Sequence, residues 1–408
     1  MSVCDTSNHL ISVPEVTEII LQQTENFGVE EVPFMQSLYR VLKESIIADR
    51  DFPPFNRVSM DGIAICFEEF QNGRTQFKIE GIQPAGAPQI TVKNKENCAE
   101  VMTGAMLPKG VDTVIPYELI EITNGNAVLK TETVKYFQNV HQQGKDRKKN
   151  DLILSKNTLI SPAEIGVLAT VGKAMVKVAK NPKVMIISTG DELVEVAKTP
   201  LVHQIRRSNV YTLVVLLENL KIKANTIHIN DDKQELLQTI KKLVEQYDVL
   251  LFSGAVSKGK FDYIPDVLNQ LGVKKLFHRV SQRPGKPFWF GKKETKTVFA
   301  FPGNPVSTFV SCLRYFYPWF KKSVGLEYKN TNFAILDQDY VFKPDLTYFL
   351  QVKLRNKNGK IYATPITGNG SGDLANLVEA DAFLELPKGR NEYKKGEVFN
   401  YISFRQNI

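Results

Sequence analysis

Residues 249–264, VLLFSGAVSKGKFDYI, place a short apolar run before small turn-forming residues and then a helix-like segment. Residues 183–194, KVMIISTGDELV, repeat the apolar run and the turn, and residues 297–313, TVFAFPGNPVSTFVSCL, repeat the whole order. This repetition predicts a parallel sheet. Ligands of such sheets bind at the carboxyl ends of the strands, where Gly and Ser let backbone N–H groups approach an anion. Because Asp191, Glu192 and Asp262 lie in or just after these loops, we expect a phosphate-bearing ligand together with a cation.

Composition limits the class of protein. At 408 residues the chain is too long for one ordinary core, and its length predicts about three domains. A hydrophobic content of 43% and a charged content of 24% are typical of a soluble globular protein. The net charge of +8 suits an anionic ligand. The densest basic run, Arg147-Lys148-Lys149, is short and indicates a solvated surface, so we expect no nucleic-acid partner.

Several function classes are excluded by motifs that the sequence lacks. The four cysteines show no CxxC spacing and make no disulfide framework, which fits a reducing cytoplasm. No secretory signal is visible, and the longest apolar runs are too short to span a bilayer, so we expect no membrane partner. There is no Cys/His cluster for zinc, and no P-loop, G-x-G-x-x-G or G-x-S-x-G motif. These absences argue against an NTPase, a dinucleotide enzyme and a serine hydrolase.

The predicted secondary structure changes along the chain. Residues 16–23 and 35–47 carry apolar side chains at helical spacing and predict two helices. From Phe55 to about Phe137, short β-rich runs such as residues 90–92 alternate with Gly, Pro and Asn, which predicts a compact β-rich insert. Strand patterns return after Asn332 and predict a small terminal β-domain.

Two groups of charged residues are candidates for ligand contacts. Arg279, Arg283 and Lys286 lie around a proline-stiffened loop and converge on one anion only if that loop folds back. Asp231 and Asp232 precede a helix-like segment, where one of them is expected to be the N-cap, while Asp231 can still point to the strand-end crevice. Asp262 also begins a helix-like segment, and there capping and ligand contact are equally favoured.

Taken together, these motifs resemble the MoeA family of molybdopterin molybdenumtransferases, almost from end to end. Residues 53–62, PPFNRVSMDG, are similar to the family's PPFDRSAMDG segment, and residues 253–257, SGAVS, to its SGGVS. Four shorter family motifs match without change: MTGA at 102–105, STGDEL at 188–193, PGKP at 284–287 and PGNPVS at 302–307. A single short match is weak evidence for a family, whereas six matches in the same order as in the family are specific.

The resemblance implies a multidomain α/β protein with a three-layer α/β/α, MogA-like sheet domain at residues 181–326. It further implies an elongated, discontinuous N-terminal α/β linker domain at 1–50 and 138–180, a β-rich insert domain at 51–137 and a C-terminal small β-barrel domain at 327–408. The family forms homodimers, and the implied active cleft lies between the sheet domain of one subunit and the insert domain of the other.

The implied reaction is the Mg²⁺-dependent transfer of molybdate onto adenylated molybdopterin, with release of AMP. The family's partners would be a molybdopterin adenylyltransferase and acceptor molybdoenzymes. Its catalytic acids carry over to Asp61, Glu192, Asp231 and Asp262, of which the last three are the implied Mg²⁺ ligands. The implied contacts of the pterin and of molybdate are Thr103, Asp146, Ser188, Gly190, Ser253, Gly254, Ser257, Arg279, Arg283, Lys286, Pro302, Asn304, Pro305 and Ser371.

The chain departs from the family pattern at a few positions. Arg279 and Arg283 stand where lysine is usual, Arg207 replaces an aspartate, and Ala255 replaces a glycine. Gln351 falls where an arginine is often found. Two alternatives therefore stay open: a molybdopterin adenylyltransferase, whose fold the sheet domain resembles, and a non-catalytic scaffold built from the same domains.

Overall fold

The predicted parallel sheet forms the centre of the molecule. The computed structural model of the protein describes residues 10–254, 263–327 and 331–405. Residues 184–188 pair in parallel with residues 249–253, which pair in parallel with residues 297–301. The three repeated sequence units therefore lie side by side, and their turns meet at one edge of the sheet. The prediction of an α/β sheet domain is confirmed.

Six strands build this sheet, and the strand Trp289–Lys293 alone runs antiparallel to its neighbours. In spatial order they are Ala224–Ile229, Val184–Thr189, Val249–Ser253, Lys296–Phe301, Trp289–Lys293 and Lys274–His278. The helices of the domain are Asn209–Asn219, Lys233–Gln246, Ile264–Gln270, Pro305–Ser311 and Tyr317–Ser323, the last two joined by a π-helical turn at Cys312–Phe316.

Alternation along the strands separates the helices into two layers. On one face, Ile186, Leu251 and Phe299 pack with the helices 209–219 and 305–323 and with the N-terminal helix Val13–Gln22. On the other face, Ile187 and Phe252, with their neighbours, pack with the helices 233–246 and 264–270. Strands buried on both faces read as continuous apolar runs, which is why these three stretches stand out in the sequence.

The N-terminal module folds from two separated parts of the chain. Strand Val29–Pro33 pairs antiparallel with Met175–Ala179, so the chain leaves this module, builds the insert and returns. The remaining elements of the module and its junction are the strands Ile46–Ile47, Arg57–Val58, Val140–His141 and Leu152–Leu154, and the helix Pro162–Thr170. The insert is β-rich, as predicted. Its sheet contains, in spatial order, Thr113–Pro116, Gly62–Ile65, Asn97–Val101, Gln76–Gln83, Asn126–Leu129 and Ile120–Thr123, with a short helix at Phe67–Gln71.

Two local predictions are wrong. The segment 35–47 is not an α-helix: a 3₁₀ turn covers Phe34–Ser37, and Tyr39 then takes a left-handed φ of 63°. Beyond it, the amides of Tyr39 and Leu42 donate to the carbonyls of Ile160 and Thr158. Long-range backbone partners thus override the helical spacing of the apolar side chains. The predicted strand at residues 90–92 is reduced to one bridge, between Thr91 and Lys109.

The C-terminal region is the predicted small β-barrel, and five strands close it. They are, in order around the barrel, Thr347–Lys357, Lys360–Pro365, Phe333–Leu336, Val398–Ser403 and Ala382–Leu386, which pairs again with the first. A two-stranded pair, Tyr340–Val341 and Glu392–Tyr393, lies beside it.

Several contacts attach the barrel to the sheet domain. Gln282–Arg283 pairs with the first barrel strand, and Arg314 on the π-helical turn makes an ion pair of 3.0 Å with Glu385. None of the helices in the described ranges combines the length and the apolarity that a membrane span requires.

Replacement of Leu217 by Ala tests the packing of the helical layer. Leu217 is fully buried in the core between helix 209–219 and the sheet, so we expect Leu217→Ala to lower the free energy of unfolding by about 2–5 kcal/mol. Denaturant unfolding followed by tryptophan fluorescence measures this, because Trp289 and Trp319 both lie buried in the sheet domain. The matched control is Leu201→Ala: Leu201 is 61% exposed, and equal losses for the two variants would contradict the described core.

Candidate active site

A cavity of about 620 Å³ opens at the carboxyl ends of the parallel strands. We call it the strand-end cavity. It lies where the sequence placed a ligand site, because the turns after three neighbouring strands share one edge of the sheet. Its walls include nine of the predicted site residues: Ser188, Gly190, Glu192, Asp231, Ser253, Gly254, Pro302, Asn304 and Pro305.

Asn209 fastens two of these turns to the helix that begins beside them. Its side-chain amide donates to Ser253 Oγ at 2.9 Å and to the carbonyl of Gly303 at 2.7 Å. One residue thus fixes the spacing between the turn after strand 249–253 and the turn after strand 296–301. The sequence predictions omitted Asn209 from the site, because its local sequence does not show that its amide reaches turns 44 and 94 positions further along the chain.

The aspartates after strand 224–229 have separate roles. Asp232 caps the helix 233–246, because its carboxylate accepts a hydrogen bond of 2.7 Å from the amide of Glu235. Asp231 instead lines the strand-end cavity, and its backbone amide donates to Asp191 at 3.1 Å. Asp231 is therefore the aspartate of this pair that can reach a ligand.

A second cavity of about 340 Å³ lies between the barrel and the sheet domain. We call it the barrel cavity. Arg283, Ser371 and Gln351 line it together with Tyr348. The Arg283 guanidinium lies over the ring of Phe342 at 6.0 Å, and the Gln351 carbonyl oxygen accepts a hydrogen bond of 2.8 Å from Asn376.

The two cavities are neighbours because a barrel loop docks on the sheet edge. The Asn304 amide donates to Ser371 Oγ at 2.7 Å, and the amide of Val306 donates to the Ser371 carbonyl at 3.1 Å. Asn304 lines the strand-end cavity and Ser371 the barrel cavity, while the adjacent Gly372 returns to the wall of the strand-end cavity. The wall between the cavities is therefore this hydrogen-bonded contact.

The basic loop folds back, as the anion hypothesis required. The amide of Arg279 donates to the Phe288 carbonyl at 2.9 Å, and the amide of Val280 donates to the Lys286 carbonyl at 2.8 Å. However, Arg283 alone of the three predicted cations lines a cavity described above, and Arg279 and Lys286 belong to neither wall. The two cavities thus support Arg283 as a ligand contact, whereas Arg279 and Lys286 stay predictions.

Three further predicted residues, Asp61, Thr103 and Asp146, lie on the insert side of the chain and line neither cavity. The amide of Thr103 donates to Asp61 Oδ1 at 2.6 Å, and hydrogen bonds from the amide and hydroxyl of Thr103 lower the pKa of Asp61. Asp61 is therefore a carboxylate at neutral pH. This part of the predicted site stands apart from the cavities within one chain.

Asp146 belongs to a small polar cluster with His141 and Arg57. His141 Nε2 lies 2.9 Å from Asp146, and Arg57 lies 3.2 Å from His141 Nδ1. Because arginine only donates, Nδ1 accepts and Nε2 carries the proton that is donated to Asp146. The carboxylate of Asp146 is thereby held in one orientation.

A flap covers one side of the strand-end cavity. It runs from Leu193 to Arg206 and is closed by a parallel pairing of residues 193–194 with 205–206. The Arg206 guanidinium donates to the carbonyls of Val196 and Lys198, at 3.0 and 3.1 Å. The guanidinium of Arg207, just after the flap, pairs with Glu195.

The floor of the strand-end cavity carries two hydroxyls with different surroundings. Ser188 Oγ lies 3.0 Å from His228 Nδ1. Burial, and then the charge of Arg207, lower the pKa of His228 below its ordinary value of 6.5, so this imidazole is neutral at pH 7. The buried hydroxyl of Thr189 finds no hydrogen-bond partner among the described residues, although it lies in the cavity wall.

The predicted Mg²⁺ ligands are only partly within the described ranges. Glu192 and Asp231 both line the strand-end cavity, whereas Asp262 and Ser257 lie outside the described residues. The described residues contain no group of three His, Cys, Asp or Glu side chains placed to hold a metal. Mg²⁺ usually binds through one or two carboxylates together with substrate phosphates and water, so the two carboxylates present fit that ion.

Comparison with protein families covers most of the chain. Residues 11–172 match the MoeA N-terminal region (domain I and II), and residues 334–404 match the MoeA C-terminal region (domain IV). Residues 185–322, which contain the strand-end cavity, match the probable molybdopterin binding domain.

Individual relatives match over their full length. A molybdopterin molybdenumtransferase from Synechocystis sp. is 40% identical, over 97% of this chain and 100% of the relative. One from Staphylococcus epidermidis is 30% identical, over 97% and 96%. The crystal structure of the molybdopterin biosynthesis protein moeA from Pyrococcus horikoshii OT3 has a TM-score of 0.81 and 27% identity, covering 97% of this chain and all of that one.

Titration of His228 tests the electrostatics of the cavity floor. We expect its NMR titration midpoint to lie below 6.5, and we expect Arg207→Gln to raise it part of the way back, because burial remains. The unfolded chain takes up this proton at a higher pH than the native one, so His228 lowers stability as the pH falls from about 6.5 through the native pKa. The control is Lys198→Gln on the flap; an unchanged midpoint in Arg207→Gln would contradict the assigned cause.

Proposed function

The chain belongs to the MoeA family, and we propose that it is a molybdopterin molybdenumtransferase, which inserts molybdate into adenylated molybdopterin and releases AMP. Both relatives named above carry that activity in their names and match this chain along nearly its whole length, including the insert and the barrel. That coverage favours the transferase over an adenylyltransferase built from the sheet domain alone. The same coverage favours an enzyme over a non-catalytic scaffold.

The strand-end cavity would hold the adenylated pterin. Its volume of about 620 Å³ lies within the range of ligand sites for molecules of this size, which is roughly 300–1,000 Å³. The turns at residues 188–190 and 253–254 supply small residues that let phosphate oxygens approach backbone amides. The hydroxyl of Thr189, which has no hydrogen-bond partner among the described residues, would supply a hydrogen bond to the ligand.

The barrel cavity would hold molybdate. This tetrahedral oxyanion carries two negative charges, and Arg283 offers a guanidinium with several donors in a fixed plane. Ser371 Oγ accepts its hydrogen bond from Asn304, so its own proton is free to be donated to an oxyanion. Gln351 adds an uncharged amide where the family often has arginine, which leaves Arg283 as the cation in this wall among the described residues.

The observation that carries the proposal is the contact between Asn304 and Ser371. It joins the walls of the barrel cavity and the strand-end cavity, and this supports neighbouring sites for the oxyanion and for the nucleotide-tagged pterin. The residues of the chain then act mainly by positioning. They hold both substrates in neighbouring sites, so that the two molecules react without first having to meet by diffusion. No nucleophilic side chain is needed for this.

Mg²⁺ fits the acidic side of the strand-end cavity. Glu192 and Asp231 would hold it, with Asp262 as the third proposed ligand. When bound, Mg²⁺ would polarise the phosphate link of the substrate as a Lewis acid. In the proposed homodimer, Asp61, Thr103 and Asp146 of the insert side would complete the cleft of the second subunit, since they lie apart from the cavities of their own chain.

The remaining expectations are proposals on the same premise. They are the domain limits given above, a cytoplasmic location, and transient contacts with a molybdopterin adenylyltransferase and with acceptor molybdoenzymes. Each rests on membership of the family, and no contact within this chain bears on it.

The direct test uses the purified protein with adenylated molybdopterin and Mg²⁺, with and without molybdate. We expect AMP to appear only when molybdate is present, because the oxyanion must occupy the barrel cavity before the nucleotide leaves. Chromatography of free nucleotide measures this. Consumption of ATP with unmodified molybdopterin would favour the adenylyltransferase, and the absence of both reactions would favour the scaffold.

Removal of the barrel-cavity cation tests the molybdate site. We expect Arg283→Ala to raise the molybdate concentration for half-maximal AMP release by about 10- to 100-fold, the usual effect of losing a hydrogen bond to a charged group. AMP binding, measured by calorimetry, should be unaffected. The control is Arg355→Ala, which removes an exposed arginine from the same barrel strand region. An equal effect of the two substitutions would remove Arg283 from the site.

A further inference from the structure

Two arginines line the strand-end cavity, and their guanidinium groups are held differently. Arg206 donates to two backbone carbonyls of its own flap, at 3.0 and 3.1 Å. These partners cannot leave without opening the flap. Arg207 pairs with the carboxylate of Glu195, and its side chain is only 13% exposed. Arg207 is thus a largely buried cation. Its partner is a side-chain carboxylate, which can move without any change in the backbone of the flap.

Glu195 is placed outside the cavity wall, on the solvent side of Arg207. Its side chain is 53% exposed, and it is absent from the residues that line the cavity. Its carboxylate also accepts a hydrogen bond of 3.3 Å from the Tyr211 hydroxyl. Glu195 therefore keeps both solvent and a donor when Arg207 turns toward a ligand, so the exchange leaves no unpaired charge in the protein.

The other charges in the cavity wall do not suit an anion. Glu192 and Asp231 are acidic and repel a phosphate that arrives without a cation. His228, which lies beside Ser188 but outside the lining of the cavity, is half-buried and is neutral at pH 7. Arg206 also lines this wall, but its Nε is bonded to two carbonyls of the flap. Among the described residues of the wall, Arg207 is therefore the cation paired with a side chain that can be exchanged for a phosphate.

We propose that Arg207 binds the phosphate of the nucleotide part of the substrate by exchanging Glu195 for the phosphate oxygens. This deepens the proposed function and rests on it, because it takes the substrate to be a nucleotide-tagged pterin. Arginine presents parallel donors that match two oxygens of one phosphate. The residue would thereby determine specificity for a phosphorylated ligand.

A consequence concerns the metal. A cation supplied by the chain offsets the repulsion from Glu192 and Asp231, so the nucleotide should bind even when no divalent ion is present. With aspartate in place of Arg207, the wall would hold three carboxylates against the single charge of Arg206, and binding should then require Mg²⁺. Arg207 would in this way separate nucleotide binding from metal binding.

The experiment measures AMP binding to the full chain by calorimetry, in EDTA and in Mg²⁺. We expect wild-type affinities in the two conditions to agree within about threefold, and Arg207→Ala to weaken binding in EDTA by about 10- to 100-fold. Arg207→Lys should recover part of the loss, because the charge returns without the planar fork. Arg207→Asp should bind AMP only with Mg²⁺.

Glu195→Gln distinguishes a binding role from a structural one. This variant removes the competing carboxylate, so we expect tighter AMP binding, by about threefold for the loss of a half-exposed ion pair. A merely structural pair would give weaker or equal binding. The charge control is Lys198→Ala, an exposed flap lysine, which should leave AMP affinity unchanged. Thermal unfolding of each variant shows that the fold is retained.

Wild-type affinity for AMP in Arg207→Ala, or unchanged or weakened binding in Glu195→Gln, overturns the inference. The proposed function is judged separately by molybdate-dependent AMP release from the wild-type protein. If that release occurs while Arg207→Ala binds AMP normally, the inference fails alone. If no release occurs but AMP binding depends on Arg207, the proposed function fails and the phosphate contact stands.

Discussion

Hydrogen bonds from the Asn304 side-chain amide and the Val306 backbone amide to Ser371 hold a barrel loop against the carboxyl edge of the parallel sheet, and this contact forms the wall that both cavities share. Without this contact, the sheet would still present a nucleotide-sized cleft, and the barrel would still carry Arg283 against its first strand. The two would no longer share a wall. A transfer between two bound molecules needs such proximity more than it needs a reactive side chain.

Charge within the strand-end cavity is balanced rather than uniformly positive. Two carboxylates, Glu192 and Asp231, face Arg207, whose own partner Glu195 stands outside the wall. The neutral His228 adds hydrogen-bonding capacity without charge. Such a mixed lining discriminates among anions, because a ligand must present its phosphate to the arginine and its metal-binding oxygens to the carboxylates. A uniformly basic pocket would accept many anions.

The sheet could be predicted from sequence because its strands are buried on both faces, so residues 184–188, 249–253 and 297–301 are unbroken apolar or small runs ending in turns. The structure of the segment 35–47 could not be predicted from sequence, since its backbone forms hydrogen bonds with residues more than a hundred positions away. The sequence could indicate the turns at residues 188–190, 253–254 and 302–305, because these turns themselves form the wall of the strand-end cavity. Asn209 was missed, and Arg279 and Lys286 were grouped with Arg283, because side-chain direction follows from tertiary packing.

Crystals of the protein grown with AMP and molybdate would test the central claim most directly, through the anomalous scattering of molybdenum. The account predicts a molybdenum peak in the cavity lined by Arg283 and Ser371, with AMP in the neighbouring cavity and its phosphate toward Arg207. A molybdenum peak elsewhere, such as on the basic surface run at residues 147–149, with the barrel cavity empty, would contradict it.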